Sequence, residues 1–310
     1  MDADDLGTRL VDGLNASYGT FPGHRAAHAK GLLCAGTFIA APDAARITRA
    51  SHLQGQPHAV HARFSNGSGD PHGADGARDG RGLALKFYLY EGGTTDIVTL
   101  SLPVFFSRTP DDLIAFNVAR RPDPGTGAPD IEKVGAFLGE HPETVPAVTA
   151  AMTALAPASY AQVGYHALHT FHFVAPDGTR RPGRYHLVPA AGEASLSDEE
   201  AAARPADYLR DELEQRFATG PVAFRLELEL AAPEDSLDDP TAQWPEGRER
   251  VHLGDVELVA FAYDRERDGD ILVFDPTRVV DGIELSDDPI LLARPHAYRE
   301  SVKRRTAPSQ

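Results

Sequence analysis

The most regular pattern of apolar and polar positions in this chain runs from Val222 to Leu230, which reads VAFRLELEL. Apolar side chains at 224, 226, 228 and 230 alternate with charged side chains at 225, 227 and 229. Strict alternation places the apolar set on one face and predicts a β-strand whose other face meets solvent. Further strand-like stretches recur along the chain. These strands are predicted at Ala59–Phe64, Gly82–Tyr90, Asp96–Leu102, Thr170–Ala175, Arg184–Val188, Val256–Tyr263 and Asp270–Phe274.

Helical patterns occupy four other parts of the chain: Leu6–Tyr18, Asp111–Arg120, Asp130–Leu155 and Ser197–Phe217. The last of them opens on a capping-box pattern, in which the acidic side chain three residues after the serine reaches back to its backbone. The strands do not alternate one for one with helices, as they would in βαβ units. We therefore predict an α+β protein built on an antiparallel eight-stranded β-barrel with helical insertions. Neither an internal repeat nor a long linker is evident, so residues 1–310 are predicted to form a single domain.

Composition limits the classes of function. The 310 residues carry a formal net charge of −16, which argues against nucleic-acid binding, because that needs clustered lysine and arginine. The single cysteine, Cys34, excludes an internal disulfide and a multi-cysteine metal site. The first residues lack the basic and apolar blocks of a signal peptide, and no apolar run is long enough to cross a bilayer. We expect a soluble, cytoplasmic protein without a membrane partner.

Arg294 and Tyr298 are the first candidate functional pair. Their spacing of four places a guanidinium and a phenol on one face of a helix. A nearby cation favours the ionised form of a phenol, and a phenolate oxygen is a suitable ligand for ferric iron. Such pairs are also common on solvated helix faces, so the pair needs support from other residues.

That support comes from short motifs spread in order along the chain. They are RAAHAKG at 25–31, HARFSNG at 61–67, RDGRGLALKFY at 78–88, LPVFF at 102–106, HTFHFV at 169–174, GIELSDD at 282–288 and RPHAY at 294–298. Taken together, they resemble the haem-dependent catalase family, and more closely its small branch of catalase-related peroxidases. The resemblance runs from about residue 20 to residue 306. It implies a catalase-like barrel with a C-terminal proximal helix that carries the iron ligand.

The resemblance implies roles for four residues on the proximal side of a haem. Tyr298 matches the tyrosine through which catalases ligate iron, and Arg294 matches the arginine beside it. His169 and Asp288 match the pair that holds this arginine, which would give a short charge chain Asp288–Arg294–Tyr298. Asp288 is equally explained as a helix N-cap before a proline at the first helical position. Proline 295 departs from the family pattern, and a kink in the helix is expected there.

On the distal side, His28 matches the family's catalytic histidine and Ser65 the serine that orients its ring. An imidazole titrates near neutrality, so it can take a proton from a peroxide and return it. Catalases carry an asparagine shortly before the LPVFF segment, and this chain offers Leu100 there, or Ser101 if the alignment shifts by one. Losing that hydrogen-bond donor favours oxidation of an organic donor over disproportionation of peroxide.

The remaining implied contacts concern the haem periphery. Arg25, Arg63 and Arg305 match the arginines that pair with the haem propionates, although Arg305 is as easily explained as part of a solvated basic tail. Phe106 and Phe116 are candidate haem contacts, with barrel core as the alternative. The cofactor implied is haem b. Because 166, 169 and 172 alternate faces on a strand, the histidines there are not expected to share a metal.

The activity predicted from these residues is a haem peroxidase that reduces hydrogen peroxide or an organic peroxide and oxidises an organic donor, with weak catalase activity at most. A peroxygenase or hydroperoxide isomerase on the same scaffold is the first alternative, since Leu100 and Leu113 make the pocket more apolar. A haem-binding protein without turnover is the second alternative. The long N-terminal arm of full-length catalases has no counterpart, so a monomer or homodimer is expected.

Overall fold

The computed structural model describes residues 3–263 and 271–307 of the chain. Ten strands occur in these residues. They are β1 (Gly31–Ala40), β2 (Pro57–Asn66), β3 (Arg81–Tyr88), β4 (Thr94–Leu100), β5 (Tyr165–His166), β6 (Phe171–Val174), β7 (Arg180–Pro189), β8 (Val222–Leu230), β9 (Arg250–Phe261) and β10 (Ile283–Leu285).

Eight of these strands close into a barrel. The hydrogen-bonded order is β1-β2-β3-β4-β5-β7-β8-β9, and β9 pairs with β1 to complete the ring. Neighbouring strands are antiparallel throughout. The two other strands extend the sheet at one side, where β6 pairs with the first half of β7, and β10 pairs with β6. The predicted eight-stranded antiparallel barrel is confirmed.

The apolar face of β8 fills the interior of this barrel. Phe224 lies 6.0 Å from the ring of Phe64 on β2 and 5.9 Å from Tyr165 on β5, although neither strand is its neighbour in the ring. Contacts across the ring place these side chains inside the barrel. Successive side chains on a strand point to opposite faces, so Arg63 and Ser65, which flank Phe64, point outward from the barrel wall.

Eight α-helices lie in the described residues. They are α1 (Ala3–Tyr18), α2 (Ala44–Ile47), α3 (Pro110–Ala119), α4 (Ile131–Glu140), α5 (Val145–Thr153), α6 (Asp198–Ala202), α7 (Tyr208–Thr219) and α8 (Pro289–Arg305). None of these helices has the length and apolar character needed to cross a lipid bilayer.

Two predicted long helices are each divided in two. The pattern at Asp130–Leu155 breaks after α4, because His141 precedes Pro142 and a residue before proline disfavours the helical conformation. The pattern at Ser197–Phe217 breaks between α6 and α7, where Pro205 stands. The capping box at its start is confirmed, since the Glu200 amide donates to the Ser197 hydroxyl oxygen and the Ser197 amide donates to the Glu200 carboxylate.

Three observed strands, β1, β5 and β10, were not predicted, and one predicted strand is not observed. Strand β1 has no clean alternation because it carries glycines at 31 and 36 and is covered in part on both faces. A Cβ at Gly36 would lie 2.0 Å from the carbonyl oxygen of Glu257, at the bulge where β1 meets β9. The strand predicted at Asp270–Phe274 is absent from residues 271–274, and Asp270 lies outside the described residues.

Helix α8 packs against the N-terminal helix α1. A Cβ at Gly7 would lie 2.5 Å from the backbone oxygen of His296, so this glycine allows the two backbones to approach closely. The helix continues through Pro295 as far as Arg305. The proline therefore does not end the element that carries Arg294 and Tyr298.

Candidate functional site

The register of three neighbouring strands aligns one row of residues on the outer face of the barrel wall. Ser65 on β2 is opposite Gly82 on β3, and Gly82 is opposite Leu100 on β4. Residues directly opposite each other in an antiparallel sheet point to the same face. Ser65, Gly82 and Leu100 therefore share one face, away from the barrel core.

His28 lies over this row. Its Nδ1 is 2.9 Å from the hydroxyl oxygen of Ser65. Gly82 leaves the space for this contact, because a Cβ at that position would be 2.7 Å from the Ser65 oxygen and 3.0 Å from His28 Nδ1. The predicted pair of His28 and Ser65 is thus brought together, and Gly82 is a site residue to which the sequence analysis gave no role.

The backbone of His28 is held in an unusual conformation. Its φ of 54° is the only positive φ at a non-glycine residue in the described parts of the chain. Such a residue costs about 1–3 kcal/mol and persists only where its surroundings enforce it. The amide of His28 donates to the carbonyl oxygen of Gly67 at 3.1 Å. Arg63 donates from Nη1 to the His28 carbonyl at 2.9 Å and from Nη2 to the Ala29 carbonyl at 3.2 Å.

These contacts give Arg63 a second role that its motif does not reveal. Gly31 makes room for the guanidinium, since a Cβ there would lie 2.7 Å from its Cζ. Arg63 is 9 % exposed, and it fixes the loop that presents the His28 imidazole. No signal in the sequence reveals this role, because it depends on the approach of β1 to β2, where Gly31 is opposite Ser65 and Arg63 is opposite Leu33.

The imidazole of His28 is neutral at physiological pH. Burial lowers its pKa to about 3, and the charges of Arg63, Arg294 and Arg25 act in the same direction. Nδ1 lies 2.9 Å from the Ser65 hydroxyl oxygen, and a hydrogen bond with the backbone of Asn66 raises the pKa of the imidazole without offsetting the lowering. The site therefore offers an uncharged ring nitrogen as a proton acceptor.

On the other side of the site, Asp288 has two functions at the start of α8. Its Oδ1 accepts hydrogen bonds from the amides of Ile290 at 2.8 Å and Leu291 at 3.2 Å, which makes it the N-cap of the helix. Its Oδ2 is 2.6 Å from Nδ1 of His169. Both side chains are almost fully buried, at 1 % and 2 % exposure. The two roles weighed for Asp288 from the sequence coexist.

His169 connects Asp288 to Arg294. The Nη1 atom of Arg294 lies 3.0 Å from Nε2 of His169. Arginine can only donate, so Nε2 accepts and the His169 proton sits on Nδ1, where it is donated to Asp288. Burial lowers the pKa of His169, and its hydrogen bond to Asp288 opposes this effect. The order of the chain is thus Asp288–His169–Arg294, with the histidine between the two residues that the sequence analysis had placed in succession.

Tyr298 lies one helical turn after Arg294. The guanidinium carbon is 5.9 Å from the centre of the phenol ring. Burial raises the pKa of Tyr298, and Arg294 opposes that increase. The predicted favourable effect of the arginine is present, but burial outweighs it in the protein alone. Since only the phenolate ligates a metal, ligation by Tyr298 would release a proton.

The three arginines predicted to meet propionates differ in their surroundings. Arg25 and Arg63 line one cavity of about 450 Å³, together with Leu272. Arg25 donates from Nη2 to the carbonyl oxygen of Leu272 at 2.8 Å. Arg305, in the last turn of α8, is only 9 % exposed, which argues against the alternative of a solvated tail.

The strand register decides between the two candidates for the missing asparagine. Leu100 lies in the row with Ser65 and Gly82. The Ser101 hydroxyl is engaged elsewhere, as it accepts a hydrogen bond from the amide of Arg81 at 2.8 Å. The side chain that shares the face of Ser65 and Gly82 at this position is therefore apolar.

The aromatic candidates form a packed series next to His169. Phe105 lies 6.4 Å from His169 and 6.1 Å from Phe106. Phe106 stacks on Phe116 at 5.5 Å with an angle of 18° between the planes. Phe116 is 5 % exposed. The structure thus brings Phe106 and Phe116 together, as packing partners of each other.

The neighbouring histidines do not converge on one ion, as expected. Nδ1 of His166 is 2.8 Å from Nδ1 of His186 on β7, whereas His169 contacts Asp288 and Arg294. Strand β6 begins only at Phe171, so His169 precedes it in the loop after β5. The prediction assumed that these histidines alternate on one strand, whereas His166 is on β5 and His169 is in the loop that follows.

Comparison with known proteins identifies the family. Residues 22–310 match the sequence profile of the catalase family. The chain is 43 % identical to a catalase-related peroxidase of Mycolicibacterium paratuberculosis over 96 % of this chain and 94 % of that protein. It is 34 % identical to a catalase-related peroxidase of Synechococcus elongatus over 96 % and 88 % of the respective chains.

Solved structures agree with this assignment. Catalase A from Saccharomyces cerevisiae superimposes with a TM-score of 0.81 at 26 % identity, covering 92 % of this chain and 62 % of that one. A fungal catalase gives a TM-score of 0.82 at 27 % identity, covering 92 % and 60 %. The chain thus spans about three fifths of the solved catalases that it matches. On these grounds, the chain belongs to the catalase family.

Proposed function

We propose that this protein is a haem peroxidase that reduces hydrogen peroxide or an organic peroxide and oxidises an organic donor. The proposal rests on the neutral imidazole of His28 and the arginine-backed phenol of Tyr298, because the charges of Arg294 and Arg25 lower the pKa of both groups. The two relatives described above, which match over nearly the whole chain, bear the name catalase-related peroxidase.

The residues of the site fit a haem. Tyr298 would supply the iron ligand, and Arg25, Arg63 and Arg305 would supply cationic partners for propionates, because buried carboxylates need such partners. We assign haem b, which carries two propionates and needs no covalent attachment. When bound, the haem supplies the redox-active iron at which a peroxide is reduced.

His28 would move the proton that this reduction requires. Its Nε2 is the ring nitrogen that is not bonded to Ser65, so it would accept the proton of an incoming peroxide and return it to the departing oxygen. The low pKa of about 3 keeps the acceptor unprotonated at neutral pH. Ser65 and Gly82 fix the direction of the ring, while Arg63 fixes the loop.

The proximal residues would hold positive charge next to the phenol. The neutral His169 accepts a hydrogen bond from Arg294 and donates one to Asp288. It therefore holds the guanidinium in place without neutralising its positive charge. This charge stabilises the phenolate form of Tyr298 against the effect of burial.

Leu100 favours peroxidase activity over catalase activity. Disproportionation requires the site to handle a second peroxide, and an aimed hydrogen-bond donor contributes roughly 10²–10³ in rate in comparable enzymes. Leucine packs but does not donate. An organic donor would then return the oxidised site to its resting state.

Rapid mixing of the ferric holoprotein with hydrogen peroxide tests this function. We expect the haem absorption band to shift within the mixing experiment and to return when a phenolic donor is added. His28→Ala should slow the first change roughly 10²–10⁴-fold, as expected for loss of a general acid–base group, with unchanged haem content. His252→Ala, which alters a half-exposed histidine on β9, serves as the control.

Two outcomes would count against the proposal. One is a ferric spectrum that peroxide leaves unchanged in the unmutated protein. The other is a His28→Ala variant that reacts as fast as the parent. Oxygen-18 from labelled peroxide recovered in the oxidised donor would instead indicate a peroxygenase.

A further inference from the structure

A second cluster of ligand-type side chains lies outside the site described above. Asp112 in the first turn of α3, His141 at the C-cap of α4 and Glu143 in the turn that follows converge, and their ligand atoms all lie within 4.8 Å of one another. Two segments of the chain contribute to the cluster, the start of α3 and the turn after α4, and the cluster has no part in the proposed peroxidase chemistry.

Two of these side chains are oriented by contacts other than those within the cluster. The imidazole of His141 stacks on the ring of Phe137 with centroids 4.3 Å apart and planes at 17°. Oδ2 of Asp112 accepts a hydrogen bond from the hydroxyl of Thr109 at 2.7 Å. In metal sites such outer contacts fix the direction of the ligands.

The distances suit a small cation. Four ligands at about 2.0–2.1 Å around tetrahedral zinc lie roughly 3.3–3.4 Å from one another. Nδ1 of His141 and Oε1 of Glu143 are already 3.3 Å apart. The ligand atom of Asp112 lies within 4.8 Å of both of these atoms.

The charge of the cluster also favours a cation. It contains two carboxylates and one imidazole. Arg108 is the cation outside the cluster whose charge acts on Glu143. Arg108 itself is paired with Asp239, at 2.8 Å. The carboxylates are therefore left with a net negative charge.

Two buried hydroxyls flank the cluster in the sequence. Ser107 is 1 % exposed and Thr144 is 0 % exposed. They are the two buried hydroxyl groups that have no hydrogen-bond partner among the described residues. Ser107 precedes the α3 segment that carries Asp112, and Thr144 follows Glu143 directly. Buried polar groups are normally satisfied, and along the chain each of these hydroxyls lies within five residues of a member of the cluster.

We propose that Asp112, His141 and Glu143 bind one divalent first-row metal ion, with zinc as the best match. Imidazole and carboxylate ligands together suit zinc, whereas calcium and magnesium prefer oxygen ligands alone. Three protein ligands leave a fourth position for water. The ion would tie the start of α3 to the end of α4, the two helices that carry Phe116 and Phe137.

Zinc titration of the haem-loaded protein, followed by isothermal calorimetry, tests the site. We expect one equivalent to bind, and we expect X-ray absorption at the zinc edge to show a single imidazole among nitrogen and oxygen ligands. Glu143→Gln and His141→Phe should each weaken binding at least tenfold. The phenylalanine variant keeps a ring to stack on Phe137, so loss of binding there would not reflect loss of packing.

Two controls separate this site from adventitious binding. Asp255→Asn alters another histidine–carboxylate pair, in which His252 Nε2 lies 3.2 Å from Asp255, and should leave the titration unchanged. Calcium should bind at least tenfold more weakly than zinc. The proposal is overturned if the parent binds no zinc, or if its zinc is retained in the Glu143→Gln and His141→Phe variants. Neither result bears on peroxidase activity.

Discussion

The two sides of the haem site are positioned by different means. His28 is fixed by contacts with β2 and the residue that follows it: the Ser65 hydroxyl, the Arg63 guanidinium and the Gly67 carbonyl. The side chains in contact are at most 37 residues apart in the sequence. The Tyr298 side depends on a hydrogen-bonded chain that spans 119 residues from Asp288 to His169 and 125 from His169 to Arg294.

This difference has a consequence for mutations. On the His28 side, sheet register and two glycines set the geometry, so a side chain can be exchanged without changing the charge of the site. On the Tyr298 side, one buried hydrogen-bonded chain sets both the position and the charge of Arg294. Substitutions there should therefore change electrostatics and stability together.

Tyr298→Phe should have the largest effect of the substitutions on the two sides of the site, and this effect is on haem affinity. With Tyr298 as the proposed ligand, loss of the phenol oxygen would remove the bond between protein and iron, and we expect haem affinity to fall by more than the roughly 10–100-fold that is typical of losing a residue that only orients a ligand. His28→Ala should leave haem content unchanged. Haem-to-protein ratio and the absorption spectrum measure both effects.

Tyr90→Phe is the matched control for that experiment, because Tyr90 is 73 % exposed and lies away from the site. A Tyr298→Phe protein with a full complement of haem and an unchanged spectrum would show that the phenol is not the ligand.

Substitutions at Asp288 separate its two roles. In Asp288→Ala the cap of α8 is lost and His169 loses a buried partner, so the free energy of unfolding should fall by about 2–4 kcal/mol. Asparagine also caps helices, so the loss of stability in Asp288→Asn should be about 1 kcal/mol smaller than in Asp288→Ala. Its amide would donate to Nδ1 of His169, which moves the histidine proton to Nε2 and removes the acceptor of Arg294.

Chemical unfolding and the haem absorption spectrum measure these two consequences separately. We expect a graded loss of stability, with alanine worse than asparagine, but a shifted spectrum in both. Equal stability of the two variants would contradict a role for Asp288 in capping α8.

Leu100→Asn tests the other side of the site. It returns a hydrogen-bond donor to the row that holds Ser65 and Gly82, so the rate of oxygen release from hydrogen peroxide should rise roughly tenfold or more. Ser101→Asn should not raise it, since the side chain at that position points towards the Arg81 amide. An oxygen electrode measures both variants, and a gain in Ser101→Asn alone would mean that the row is wrongly assigned.

Much of this architecture is readable from the sequence where the pattern is local. The alternation at 222–230 predicts β8 to the residue, and the spacing of Arg294 and Tyr298 predicts their common helix face. Strand β1 could not be predicted in this way, because part of its burial comes from the outer cover of the barrel. The halves of the interrupted helices at 130–155 and 197–217 look continuous in periodicity until the prolines are weighed.

The contacts of the site were harder to predict than its members. The motifs name His169, Asp288 and Arg294, but only the fold reveals that the histidine stands between the other two. Likewise, the sequence favours Leu100 but leaves Ser101 open if the alignment shifts by one, and the strand register places Leu100 in the row with Gly82. Hydrogen-bond order and register are set by long-range packing, which a single sequence does not record.

The last prediction concerns pH and compares His28 with a histidine that has no part in the site. His52 lies in the barrel core, 5.0 Å from the ring of Phe87, and burial lowers its pKa to about 3. Both histidines bind a proton more readily in the unfolded chain, so the free energy of unfolding is highest above about pH 6.5 and falls as the pH drops towards 3. Each should contribute up to about 1.4 kcal/mol per pH unit to the slope in that range.

His52→Leu and His28→Leu should each reduce this slope by a similar amount, since the proton equilibrium follows from burial and not from function. Phe87→Leu, which alters the neighbour of His52 without removing a titrating group, should lower stability at every pH and leave the slope as it was. Urea unfolding between pH 4 and pH 8 gives the slopes. A slope that drops in His28→Leu but not in His52→Leu would mean that the arginines around His28, more than its burial, keep the imidazole neutral.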